Sequence, residues 1–387
     1  MHELTAPLPI STGDEKVEKP DSFFRHMPAL DGVRAIAIIV VMIYHLEWLM
    51  PELQPYVKGG FLGVDIFFVL SGFLITSILL GEYEKTGTIS LKNFYVRRCL
   101  RLVPAFWLFL ICLYVFGSYL LPEYQASLVY GRNDFIYAIT YTMNWFSAFN
   151  SGYDSNLNHA WSLSIEEQFY IIWSLILYYA LAKRWKPRKM LFVTLGLVLA
   201  LCISRAIRAI LGVDTKILYY STDTRIDALL TGCAASLAFV LKVLPADALR
   251  KSWFNLLLAG SVVGALMVFV RLSHFSVYLY IFGLPVFTSS IAVMLFWLAS
   301  TTRTIIHKVL ENRILVWIGN ISYALYLWHY LMYEFAKKEF ETPGSRMIVG
   351  LTLAFIAAAG SYYLIEKPFL RLKFRFNTKG HGLMVSG

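Results

Sequence analysis

Charge is what this sequence has least of. Of its 387 residues only 16% are Asp, Glu, Lys or Arg, where soluble domains carry about 25%. That shortage, with apolar runs of about 20 residues recurring along the chain, excludes an ordinary water-soluble domain and points to a polytopic helical membrane protein. The runs do not alternate, which excludes a membrane-spanning β-barrel. Cysteine is also sparse. Cys99, Cys112, Cys202 and Cys233 are scattered, without the spacing of a disulfide framework or a metal site, so they read as helix-packing thiols and no metal is expected. There is no cleavable signal pattern, and residues 1–26 are polar and Pro-containing, a loose cytoplasmic tail. No internal repeat is visible, which counts against a transporter.

The charge that is present is lopsided, with a net value of +10. Nucleic acid is one partner class for a basic chain. Here, however, Lys and Arg sit in short loops between apolar runs, the bias that orients membrane proteins, and no nucleic acid is expected. The expected fold is all-α: a bundle of about ten transmembrane helices around an interior cavity. Residues 27–370 form the membrane domain and residues 371–387 a basic cytoplasmic tail. The spans fall near 29–49, 60–80, 103–121, 161–182, 190–211, 225–244, 253–272, 277–299, 314–336 and 346–366. The basic stretch before Pro104 reads as a separate amphipathic segment, with Pro104 opening the third span. Residues 135–150 are apolar but short, and are taken as re-entrant or interfacial. A crossing there would put the basic loop Lys183–Lys189 outside, against the charge bias. Both termini are then cytoplasmic, and the protein belongs in the cell membrane.

The first span holds the most informative pair. Arg34 and His45 are eleven residues apart, which returns them to nearly one helix face, about 16 Å apart along the axis. Ile38 and Val41 lie between them on that stripe. An ionisable side chain inside a membrane is costly and marks a functional site by default. The bland alternative is that Arg34 snorkels to the interface and His45 is a satisfied polar residue.

With this topology the polar residues form two layers. Arg34, Arg97, Arg98 and Arg101 make a basic cytoplasmic floor. Arg97, Arg98 and Arg101 share a face if their stretch is helical, and guanidinium forks suit phosphate. The outer layer holds His45, Asp65, Glu166, Glu167, Arg205, Arg208, Asp227 and His329. Arg205, Arg208, Asp223, Arg225 and Asp227 read as structural ion pairs. An anionic donor on the basic floor and a hydroxyl acceptor at the outer layer fit this division. A His suits proton removal from a hydroxyl, and a carboxylate such as Asp65 is a candidate to orient it. His159, at a loop end, reads as solvated, and His329 ranks below His45.

These residues resemble the membrane acyltransferase 3 family. The resemblance begins at LDGVRAIAIIVVMIYH and continues through GGFLGVDIFFVLSGFLIT, FYVRRCLRLVPAFW and HAWSLSIEEQFY. TRIDALLTG, WIGNISYALYLWHY and YYLIEKPFLRL follow in order. It implies an integral membrane O-acyltransferase taking an acyl group, most often acetyl, from cytoplasmic acyl-CoA. The acceptor it implies is a hydroxyl of a cell-surface or exported glycan, or of a lipid-linked sugar. It implies that Arg34 and His45 match the family's Arg–His pair, with His45 catalytic. Arg98 and Arg101 match an Arg-x-x-Arg pair on the acyl-CoA side, with Arg97 beside them. Glu166 matches the acidic residue of the Trp-Ser-Leu…Glu motif and would be a catalytic residue that orients the His or binds the acceptor, while Glu167 sits at a freer position. No tightly bound cofactor is implied. Many relatives carry a C-terminal hydrolase-like domain, and this sequence, ending soon after its last span, reads as a stand-alone form. His45 acts either as a base for direct transfer or as a transient acyl carrier. An acceptor such as a macrolide is the alternative within the class, and a glycan flippase the alternative outside it.

Overall fold

The computed structural model describes residues 27–120, 128–150, 155, 157–245, 248–302 and 304–373. The expected tail at 1–26 and residues 374–387 of the other lie outside the described residues. Ten helices of 17 residues or more make up the body. They are α1 (Pro28–His45), α2 (Gly63–Thr86), α3 (Leu91–Leu120), α4 (Trp161–Ala182), α5 (Pro187–Ile210), α6 (Thr222–Val240), α7 (Ser252–Arg271), α8 (Leu284–Ser300), α9 (Ser322–Glu339) and α10 (Pro343–Ser361). Their local signals are ordinary. α1, α5 and α10 open on Pro28, Pro187 and Pro343, where the missing N–H costs nothing. α2 closes on Gly87 at φ 72°, whose N–H bonds the Tyr83 carbonyl.

Among the described residues seven helices are long and apolar enough to cross a membrane. The three long helices outside that set, α4, α6 and α9, have the length, 22, 19 and 18 residues, but carry Glu166, Glu167, Arg225, Asp227 and His329. Their polar groups face protein, and α4 also turns an apolar side outward through Ile171, Leu175 and Tyr179. α5 and α7 expose Leu195, Leu199, Leu256, Leu266 and Met267.

α2 and α6 pack face to face through glycines. A Cβ on Gly72 would sit 1.8 Å from the Leu229 carbonyl oxygen, and one on Gly232 1.9 Å from that of Val69. Absent side chains let the two backbones touch, the usual way helices associate in lipid. α2 is accordingly buried along most of its length.

Two expectations change, those for 103–121 and 314–336, while residues 135–150 agree with the non-crossing reading. The basic stretch and the third span are one helix: α3 runs from Leu91 straight through Pro104. Pro104 forfeits the backbone bond that the Leu100 carbonyl would accept, and close by Tyr323 donates to the Leu102 carbonyl at 3.1 Å. The run at 314–336 is not one span. A helix Arg313–Asn320 ends before Ile321, and α9 starts at Ser322. Residues 135–150 fall in two short helices, Leu128–Ile139 and Met143–Phe149, with Tyr141 between them at φ 52°. At 1.5 Å per residue neither covers about 30 Å of hydrocarbon.

Candidate active site

α1 places its polar stripe toward the interior, as its spacing requires. Ile38 and Val41 on that stripe are buried, and Arg34 and His45 open into two different cavities. The Arg34 cavity is small, about 80 Å³, and is lined by Arg34, Ser71, Arg98, Arg101, Glu166 and Tyr170 among others. The His45 cavity is about 540 Å³ and includes Tyr44, Trp48, Asn158, His159, Tyr330 and Glu334. Val64 and Tyr326 line both, so the two chambers meet at those side chains.

The Arg34 chamber concentrates positive charge on a rigid wall. α3 delivers Arg98 and Arg101 three residues apart, on one face. Arg98 lies over the Tyr170 ring at 3.6 Å and 3.6 Å from Glu167, yet its buried Nε has no hydrogen-bond partner. Arg34 is 3.2 Å from Asp31. Glu166 is fixed by two donors, the hydroxyls of Ser71 and Tyr170, each at 3.1 Å. Three guanidinium groups in one chamber are able to hold an anion, and phosphate suits their fork geometry.

Arg97 does not join this group. Its side chain turns to Glu82 in a buried ion pair, 2.8 Å, while Glu82 also takes the Ser90 N–H. Helix geometry leaves both 97 and 98 within about 60° of 101, so it is the Glu82 carboxylate that draws Arg97 away.

Around His45 the expected carboxylate is replaced by a second imidazole. His329 Nδ1 lies 2.9 Å from the Leu325 carbonyl, and His329 Nε2 lies 3.1 Å from His45 Nδ1. A carbonyl only accepts, so His329 Nδ1 carries a proton. Nε2 of that neutral ring accepts, and His45 Nδ1–H donates to it. This chain assigns the tautomer of His45 and leaves Nε2 as its basic nitrogen. The rings of Trp48 and Tyr330 pack on His45, at centroid distances of 4.5 and 6.2 Å.

Neither carboxylate considered from the sequence reaches His45. Glu166 serves the Arg34 chamber. Asp65 takes both its bonds from Arg225, 2.9 Å each. Arg205 pairs with Asp227 and Arg208 with Asp223, both at 2.5 Å, which bears out the ion-pair reading of that cluster. Two histidines stand apart from their sequence readings: His329 touches His45, and His159, expected to be solvated, is buried because the turn before α4 packs into the chamber wall. The usable signal for His329 was its position inside an apolar run.

The geometry defines the class: a bundle of membrane helices in which an arginine-lined chamber meets a histidine-lined one. The sequence profile described as "Acyltransferase domain" matches residues 27–366. The chain belongs to this membrane acyltransferase family. Among its curated relatives is the peptidoglycan O-acetyltransferase OatA of Listeria monocytogenes, 35% identical over 368 residues, spanning 92% of this chain and 58% of that protein. Another is the O-acetyltransferase OatA of Staphylococcus aureus, 36% identical over 376 residues, spanning 93% of this chain and 59% of that protein. The chain thus spans under two thirds of the length of either relative. No solved structure matches it.

Proposed function

We propose that this protein is an O-acetyltransferase that moves an acetyl group from cytoplasmic acetyl-CoA to a sugar hydroxyl of a cell-wall glycan on the far side of the membrane. The observation that carries the reading is the junction of the two chambers at Val64 and Tyr326. The phosphates of the donor bind Arg34, Arg98 and Arg101, and its narrow thiol arm brings the thioester to His45. The glycan enters the wider chamber, where Trp48, Tyr330 and Asn158 offer ring faces and hydrogen bonds. The name of the Listeria monocytogenes relative favours peptidoglycan over a small secondary metabolite.

His45 Nε2 takes the proton of the acceptor hydroxyl while that oxygen attacks the thioester carbonyl carbon. The new C–O bond forms, the C–S bond breaks, and the proton passes from His45 to the departing sulfur. His329 positions the ring and shares the charge that it carries briefly. Glu166 and Tyr170 hold the wall of the donor chamber.

Proteoliposomes given acetyl-labelled CoA and glycan fragments test the proposal. Label reaches the glycan with wild type, and Arg98→Ala raises the donor KM about tenfold or more, the loss of one charged hydrogen bond. Label that stays on CoA with wild type, in the presence of peptidoglycan fragments, contradicts it.

A further inference from the structure

His159 lies in the short turn Asn158–Ala160 that leads into α4, outside the Arg–His pattern. It is 4% exposed and lines the His45 chamber. Both of its ring nitrogens are buried with no hydrogen-bond partner. Its ring is nonetheless held firmly. It stacks on Tyr330 at 5.0 Å and meets the edges of Phe109, Tyr326 and His329 at 5.6, 5.8 and 6.2 Å. Its carbonyl accepts the Tyr326 hydroxyl at 2.6 Å, and the same hydroxyl is 2.7 Å from Ser162 Oγ. Tyr326 is one of the two side chains shared by both chambers, so on the proposed function His159 is anchored where a thioester carbonyl passes from one to the other.

A buried imidazole with no partner at either nitrogen is costly to keep, and a site built to fix such a ring without bonding it leaves its donor for a guest. Resting on the acetyl-transfer reading above, we propose that His159 is a catalytic hydrogen-bond donor. In this role its ring N–H binds the carbonyl oxygen of the transferring acyl group while attack turns that oxygen into an oxyanion. The acceptor oxygen bonds to the carbonyl carbon, and the π electron pair moves onto the oxygen held by His159. Collapse restores the C=O, breaks the C–S bond, and sends the proton on His45 to sulfur. His159 keeps its own proton throughout. Burial, with His329 adding to it, holds the His159 ring down to about 3, so at neutral pH it is an uncharged donor. A neutral imidazole is a competent electrophile of this kind.

The test compares wild type with His159→Phe and His159→Gln in proteoliposomes with acetyl-labelled CoA and peptidoglycan glycan fragments. The slow hydrolysis of the thioester without acceptor is followed in parallel. His159→Phe keeps the ring packing and loses the donor. Its kcat falls about 10²–10³-fold, the usual effect of removing one oxyanion donor, with both KM values close to wild type. Hydrolysis falls in step, because both reactions pass through the same oxyanion. His159→Gln, which retains an N–H, recovers part of the rate. His159→Leu repeats the comparison if the Phe variant does not fold. A kcat within about threefold of wild type in the apolar variants overturns the inference, as does a change in acceptor KM with hydrolysis unaltered. Wild type that moves no label removes the donor reading, and this inference with it.

Discussion

At the scale of single residues, the account turns on how one imidazole is held. His45 has His329 as its ring partner, and His329 is in turn fixed by the Leu325 carbonyl. On the proposed mechanism His329→Phe preserves most of the packing against Tyr333 and Tyr326 but frees the His45 tautomer. The expected result is a kcat lower by about 10²–10⁴-fold with an unchanged donor KM, measured by initial rates. His45 itself was legible because Arg34 stood eleven residues before it on one helix. Its partner was not, because the two histidines are 284 positions apart and nothing in a single sequence links them. The carboxylates drew attention instead, although Asp65 is committed to Arg225.

His159 adds a prediction about stability. Burial first, then His329, lowers its folded-state value from 6.5 to about 3. Between those values the unfolded chain binds a proton that the folded chain refuses. This histidine therefore makes stability fall as pH falls through that window, by up to about 1.4 kcal/mol per pH unit, and contributes no loss above it. His159→Phe removes the dependence. Thermal unfolding in detergent at pH 7 and pH 5 should show a smaller acid-side loss in the variant than in wild type; equal losses would remove this residue from the account.

At the scale of elements, the polar helices decide the architecture. Length and hydropathy make the outer helices plain in the sequence, and α4 matches its expected span of 161–182. The ends of α3 and α9 were less legible. A proline normally ends a helix, yet Pro104 lies inside one, and the apolar run at 314–336 conceals a break at Ile321. Two predictions belong here. Gly232→Leu forces α6 off α2, because the first added carbon already meets the Val69 carbonyl. A cost at or above the roughly 1–3 kcal/mol of ordinary overpacking should appear as a lowered Tm. Asp65→Ala strands the buried Arg225 charge, both partners being 1% exposed as side chains. The expected loss is roughly 3–5 kcal/mol, relieved when Arg225→Met is added. A double variant no better than the single one would refute that pairing.

At the scale of the whole molecule, the proposed function rests on two chambers in line, which let one protein serve substrates that do not share a compartment. The general plan was legible: a basic layer at one end, a histidine at the other, and apolar helices between. The connection was not, because Val64 and Tyr326 carry no charge and look like packing in a sequence. The proposed sidedness is that donor enters from the Arg34 end. In sealed vesicles of known orientation, acetyl-CoA should support transfer only from the face reached by labels on cysteines introduced in the loop 183–186.

The most direct measurement is the transfer rate of His45→Ala in the proteoliposomes that carry wild-type activity, with matched folding confirmed by thermal unfolding. The account predicts that label leaves CoA for the glycan at less than about a thousandth of the wild-type rate, the upper part of what a general base contributes. A folded His45→Ala protein that transfers at more than a tenth of the wild-type rate would contradict it.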